Sequence, residues 1–250
     1  MKIEVILSPK LYPSRQLLVS HSTVAVDILR ATSAICAAFQ AGAKEIVPLN
    51  SLEPLADYYR KGYTIAAERG GAKVAIEGVP ASCGNSPTEY MSMNLKGQRL
   101  AYSTTNGTVS ITTAAESEQL YVGAFANLDA LSRHLIKENP DHLVILCSGW
   151  KGDPCIEDTL FAGALCKTLQ TTADVELIND AALFSVDLWN LALQSHTDTS
   201  EAIYRFCAKA THVHRLQQMN YDCDIRWAFR LNTCPIVPKL TDRTRLLPAL

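Results

Sequence analysis

Residues 24–38, V-A-V-D-I-L-R-A-T-S-A-I-C-A-A, change character halfway along. Val24–Val26 is an apolar run of the kind that forms a buried strand, and from about Ala31 the small and apolar residues suit a tightly packed helix. Asp27 and Arg30 sit between the two, beside the hydroxyls of Thr32 and Ser33. A charge inside an apolar run is costly unless it is paired or bound to something. Two readings follow. Asp27 and Arg30 form a buried ion pair, or they line a ligand site where a strand hands over to a helix, the usual location in open α/β sheets.

Working outward, the alternation continues. Ile3–Leu7, Leu17–Leu18, Glu45–Leu49, Tyr63–Ala67, Leu143–Cys147 and Val175–Ile178 read as strands. Leu52–Lys61, with Ser51 as cap, reads as a helix, as do Thr159–Leu169, Ala181–Leu193 and Ser200–His214. Pro154 suits the first turn of a helix capped by Asp153, and Ile236–Pro238 reads as a short strand before a polar tail. This pattern predicts an α/β fold, layered α/β/α, with a mostly parallel or mixed sheet.

The 250 residues, 48% hydrophobic and 19% charged, are enough for one compact unit, 1–250. A finer division would be a lobe over 1–137 and another over 138–250 with the site between them. A faint internal match supports a duplication. A shift of 76 positions lays Thr32 on Thr108, Ile35 on Ile111, Ala38 on Ala114 and Leu52 on Leu128, so Val24–Lys61 and Leu100–Lys137 read as two copies of one unit.

A net charge of −2 gives no basic field for nucleic acid. No apolar run reaches the roughly 18 residues of a membrane span. The eight cysteines contain no C-x-x-C, and Glu4 interrupts the apolar start. We therefore expect a cytoplasmic protein with reduced thiols. A homodimer is the base-rate expectation.

Four polar turns could carry chemistry. Asp27/Arg30/Thr32/Ser33 is the first, and Glu68-Arg69-Gly70-Gly71, an acid–base pair at a strand end, is the second. Alone the second could be an ordinary turn with a surface ion pair. The third, Ser103-Thr104-Thr105-Asn106-Gly107-Thr108, leads into a helix near Gly107. It reads as an anion cradle of backbone amides and hydroxyls, or as N-capping by Thr105 or Asn106. The fourth, Gly149–Asp158, ends in Glu157-Asp158. Those carboxylates suit either the dipole of a helix start or a hard cation such as Mg²⁺. Gly84-Asn85-Ser86-Pro87 adds a further polar turn, while His212 and His214 fall at a helix end with no evident third ligand. The collected carboxylates and arginines suit a negatively charged small ligand and phosphoryl transfer with a metal.

In order and spacing, V-D-I-L-R-A-T-S, E-R-G-G, G-N-S-P-T-E-Y, T-T-N-G-T and E-D-T-L-F-A-G resemble the 2-phosphosulfolactate phosphatases, the ComB family. Asp224-Ile225 and Val237-Pro238 extend the likeness nearly to the end. The resemblance implies a ComB-like α/β fold and a Mg²⁺-dependent hydrolase that converts 2-phospho-3-sulfolactate to 3-sulfolactate and phosphate. In methanogens that step belongs to coenzyme M biosynthesis. Carried onto this chain, it implies catalytic roles for Asp27, Arg30, Glu68 and Arg69. Asn85, Ser86, Thr104, Thr105, Asn106, Gly107 and Thr108 would bind substrate, and Asp27 and Asp158, with Glu157 or Glu68, would hold Mg²⁺. Arg30 and Arg69 would clamp the substrate's oxyanions. Water or Asp27 itself would be the nucleophile. The alternatives are a phosphatase for another phosphorylated 2-hydroxy acid, or a non-catalytic anion-binding protein.

Overall fold

The computed structural model describes residues 1–12, 20–76, 78–105 and 107–249. The expected strand at Leu17–Leu18 lies outside them. The N-terminal part runs β1 (Lys2–Ile6), β2 (Ser22–Val26), α1 (Ala31–Gln40), β3 (Glu45–Pro48), α2 (Leu55–Arg60), β4 (Thr64–Arg69), β5 (Ala72–Lys73) and α3 (Pro87–Ser92). It continues through β6 (Arg99–Ser103), α4 (Gly107–Thr113), β7 (Gln119–Gly123), α5 (Leu128–Glu138) and β8 (His142–Cys147). The rest comprises α6 (Ile156–Gln170), β9 (Glu176–Leu177), α7 (Asp180–Leu193), α8 (Thr199–Cys207), α9 (Thr211–Gln218), α10 (Asp222–Ala228), β10 (Pro238–Thr241) and β11 (Arg245–Pro248). The expected α/β fold is the one observed. Among the described residues no helix is long and apolar enough to cross a membrane.

One sheet carries the order β5-β4-β6-β3-β11-β10-β7-β2-β8-β1-β9. β7, β2, β8, β1 and β9 pair in parallel, and so do β3, β6 and β4. The antiparallel hairpin β10–β11 joins the two groups, meeting β7 through Lys239–Tyr121 and β3 through Leu246–Ile46. Three antiparallel steps thus set the groups in opposite senses. β2 is buried at all five positions, as a parallel strand flanked by β7 and β8 should be. α1 is buried from Ala31 through Phe39 and packs against α3 and α4, which explains its lack of a polar face. The stretches related by the 76-residue shift hold β2–α1–β3–α2 and β6–α4–β7–α5, and β2 pairs with β7 while β6 pairs with β3.

Several expectations need correction. The residues after Pro238 are not a polar tail but the β10–β11 hairpin. Its turn places Asp242 and Arg243 at φ 52° and 58°, with Thr244 N–H donating to Thr241 carbonyl at 3.2 Å. That is the backbone of a type I′ turn built without the usual glycine. Arg245 then pairs with Asp242 and with Glu45. The helix expected over Ser200–His214 is two, α8 capped by Asp198 and α9 starting at Thr211. Ile203, Phe206, Ala210, Val213 and Leu216 keep helical spacing across the break, so the apolar pattern conceals it. α6 begins at Ile156 with Cys155 at its cap, leaving Asp153 and Pro154 in the preceding turn, and α2 begins only at Leu55.

Candidate active site

Asp27 follows β2 directly and caps α1, its Oδ1 accepting from Ala31 N–H at 3.1 Å. Thr32 and Ser33 build the same turn: Thr32 Oγ1 donates to the Asp27 carbonyl at 2.9 Å, and Ser33 Oγ to the Ile28 carbonyl at 2.8 Å. Arg30 does not pair with Asp27. Its Nη1 meets Asp224 Oδ2 at 2.8 Å, its Nη2 donates to the Gly71 carbonyl at 2.6 Å, and its guanidinium lies 3.9 Å from the Tyr221 ring centre. The second oxygen of Asp224 accepts from Ser86 Oγ at 2.7 Å and Thr88 Oγ1 at 2.5 Å. A buried ion pair with its spare oxygen satisfied fixes geometry more than it adds stability. Ser86 therefore works behind Arg30, also capping α3 through Glu89 N–H.

The second turn closes the β4–β5 hairpin, with Gly70 and Gly71 at φ 62° and 91° where other residues would be strained. Glu68 clasps it to the third turn. Gly71 N–H and Thr105 Oγ1 donate to its Oε1, and Thr105 N–H donates to Oε2 at 3.1 Å. Adjacent strand residues face opposite ways, so Arg69 reaches Ser103 Oγ instead and does not line the cavity. The expected anion cradle is also revised. The amides of Thr105 and Thr108 are committed to Glu68 and to Thr104 Oγ1, and α4 has only seven residues. Asn106 lies outside the described residues. Gly107 serves close packing: a Cβ there would fall 2.0 Å from Ala31 Cβ and 2.9 Å from Asp27 Oδ2. Asn85 lines the cavity, its Oδ1 accepting from the buried Tyr102 hydroxyl and its amide NH₂ left over.

Asp158 does not line the cavity and binds backbone instead. Ile28 N–H and Gly149 N–H donate to its two oxygens at 2.8 and 3.0 Å, tying the end of β2 to the loop after β8. Burial, then Asp27 and Glu157, push its pKa up. Glu157 is fully buried, its Oε1 2.7 Å from His212 Nδ1 and its Oε2 without a hydrogen-bond partner. The His212 ring stacks on Trp150 at 5.2 Å and 10°. The expected Asp27/Glu157/Asp158 metal set is thus not assembled. Among the described residues no group of three or more His, Cys, Asp or Glu side chains is arranged to hold an ion.

What converges is a cavity of about 140 Å³. Asp27 and Glu68 line it with Asn85 and Thr105, and Arg30, Lys151, Arg215 and His212 line it as cationic or protonatable groups. Arg215 is braced on the Gly70 carbonyl at 2.5 Å. Burial raises the Asp27 pKa to about 6; Ala31 N–H and His212 pull it down, and Glu68 and Glu157 add to the rise. Two cavity carboxylates suffice for Mg²⁺, which takes one or two of them and completes its shell with phosphate and water oxygens.

Sequence reasoning missed Trp150, Lys151, His212 and Arg215. The two in the fourth turn were within a stretch read for its carboxylates. His212 was hidden by the break between α8 and α9, which moves it from a helix end to the first turn of α9.

The family model described as 2-phosphosulpholactate phosphatase matches residues 6–243. A protein of Caldanaerobacter subterraneus subsp. tengcongensis named "Probable 2-phosphosulfolactate phosphatase" is 33% identical over 223 residues, 88% of this chain and 87% of that protein. Proteins of the same name from Gloeothece citriformis and Prochlorococcus marinus are 31% and 34% identical. They cover 95% of this chain and 95% of that protein, and 87% and 88%, respectively.

Proposed function

The chain belongs to the 2-phosphosulfolactate phosphatase family, and from that premise we propose that it hydrolyses 2-phospho-3-sulfolactate to 3-sulfolactate and phosphate with the help of Mg²⁺. The observation that carries this reading is the small cavity where Arg30, Lys151 and Arg215 face Asp27 and Glu68. Such a substrate bears a phosphate, a carboxylate and a sulfonate on three adjacent carbons. Neutralising that much charge in a small space calls for several fixed cations.

Arg30 is the best-fixed of them. With two donors bound to Asp224 and Gly71, its remaining N–H groups are available to an oxyanion. Lys151 and Arg215, nearer solvent, suit the second and third anionic groups, and the Asn85 amide can donate to a substrate oxygen. Asp27 and Glu68 would hold Mg²⁺. When bound, the metal neutralises phosphoryl charge and orients its oxygens. A mere anion binder gains nothing from two carboxylates beside its ligand, which weighs against the non-catalytic alternative.

The test is phosphate release from 2-phosphosulfolactate, 2-phospholactate and 3-phosphoglycerate, each with Mg²⁺ and with a chelator. We expect release from 2-phospho acids, fastest with the sulfonate present and abolished by chelation. No release from any substrate overturns the phosphatase reading. Release indifferent to chelator overturns the metal.

A further inference from the structure

We propose that His212 is the general acid of the reaction, donating from Nε2 to the departing hydroxyl oxygen, with Glu157 as its positioning residue. This rests on the phosphatase reading above. The leaving group of a phosphorylated 2-hydroxy acid is an alkoxide, a poor one, and a proton delivered as the P–O bond breaks is worth about 10²–10⁴ in rate. His212 is built to supply it. Its ring lines the cavity, its Nδ1 is held 2.7 Å from Glu157 Oε1, and Trp150 stacks on its face. With Nδ1 engaged, Nε2 is the nitrogen left for the cavity.

A purely structural role explains this arrangement poorly. His212 is the second residue of α9, at the positive end of the helix dipole, where a cationic ring gains nothing from the helix. Glu157, 0% exposed, offers one oxygen to the ring and leaves the other unpartnered, a costly placement for a side chain that served only packing. A buried carboxylate on the far nitrogen fixes the ring and its orientation towards the cavity.

The step balances. A water oxygen bonds to phosphorus while the P–O ester bond breaks, its electron pair staying on the substrate oxygen. That oxygen takes the Nε2 proton and leaves as a free hydroxyl. The attacking water's surplus proton returns to Nε2 through solvent, and phosphate departs.

The experiment compares 2-phospholactate with 3,3,3-trifluoro-2-phospholactate, which differs only in a bulkier methyl position and whose hydroxyl is far more acidic. For His212→Gln we expect kcat on 2-phospholactate to fall at least 100-fold and on the trifluoro ester less than 10-fold. Glu157→Gln should show the same preference more weakly. Equal losses on both esters, or no loss on either, overturn the proposal, the first indicating a structural or ligating role. Should the variants fail to fold, the wild-type protein decides: similar kcat on the two esters supports proton donation, and a trifluoro ester faster by 100-fold or more overturns it. A wild-type protein that hydrolyses neither of these esters nor 2-phosphosulfolactate refutes the phosphatase reading, and the proposal falls with it.

Discussion

Replacing Asp27 by asparagine should inactivate the protein and, in the absence of metal, stabilise it. The wild-type carboxyl is raised from 3.8 to about 6, with burial the largest cause. A folded-state pKa above the unfolded one means that the group favours folding fully below pH 3.8, and that this contribution is lost as pH rises through about 6. At roughly 1.4 kcal/mol per pH unit, holding Asp27 ionised at pH 7.5 costs about 3 kcal/mol. Asparagine keeps an oxygen for Ala31 N–H but introduces an NH₂ that must find a partner, offsetting about 1 kcal/mol. The net gain of about 2 kcal/mol should raise Tm by about 4–8 °C for a chain of this size. Thermal unfolding in chelator, scanned from pH 4 to pH 7.5, reads it. The offset should be largest at pH 7.5, shrink as pH falls and reverse by up to about 1 kcal/mol once Asp27 is protonated in both states, and excess Mg²⁺ should raise the wild-type Tm while leaving the variant unmoved. A variant no more stable than wild type at pH 7.5, or an offset independent of pH, refutes the reasoning.

Four further substitutions have expected outcomes. Asp224→Ala strands the buried Arg30 guanidinium and should cost about 3–5 kcal/mol in urea unfolding, whereas Arg69→Ala, away from the cavity, should leave KM within about twofold. Gly107→Ala forces a methyl into Ala31 and should destabilise by about 1–3 kcal/mol; adding Ala31→Gly should recover part of that in the same unfolding assay. Burial lowers the pKa of His142, so its contribution is present above pH 6.5 and is lost as pH falls below that value; His142→Gln should flatten the acid side of a Tm-against-pH curve.

The strand–turn–helix around Asp27 was legible because a continuous apolar strand and a small-residue helix need no distant information. Glu68 and Arg69 could have been separated too: neighbours on a strand cannot both face one ligand. Other features had no local trace. Asp224 meets Arg30 across 194 residues, and Glu157 meets His212 across 55. The carboxylates Glu157 and Asp158 looked equivalent in sequence. They differ only because one points at a ring and the other at two amides. The closing hairpin escaped notice because its turn residues, Asp242 and Arg243, adopt positive φ without glycine and each of its four-residue strands carries a charge.

That hairpin has a consequence for biosynthesis. Residues 238–248 are translated after every strand they join, yet they occupy the middle of the sheet, not its rim. The parallel groups led by β2 and β6 can each begin to assemble while the ribosome is still working, but the seam between them stays open until the hairpin emerges. A nascent chain stalled before Pro238 therefore presents two unpaired strand edges, on β3 and β7, to chaperones and to one another.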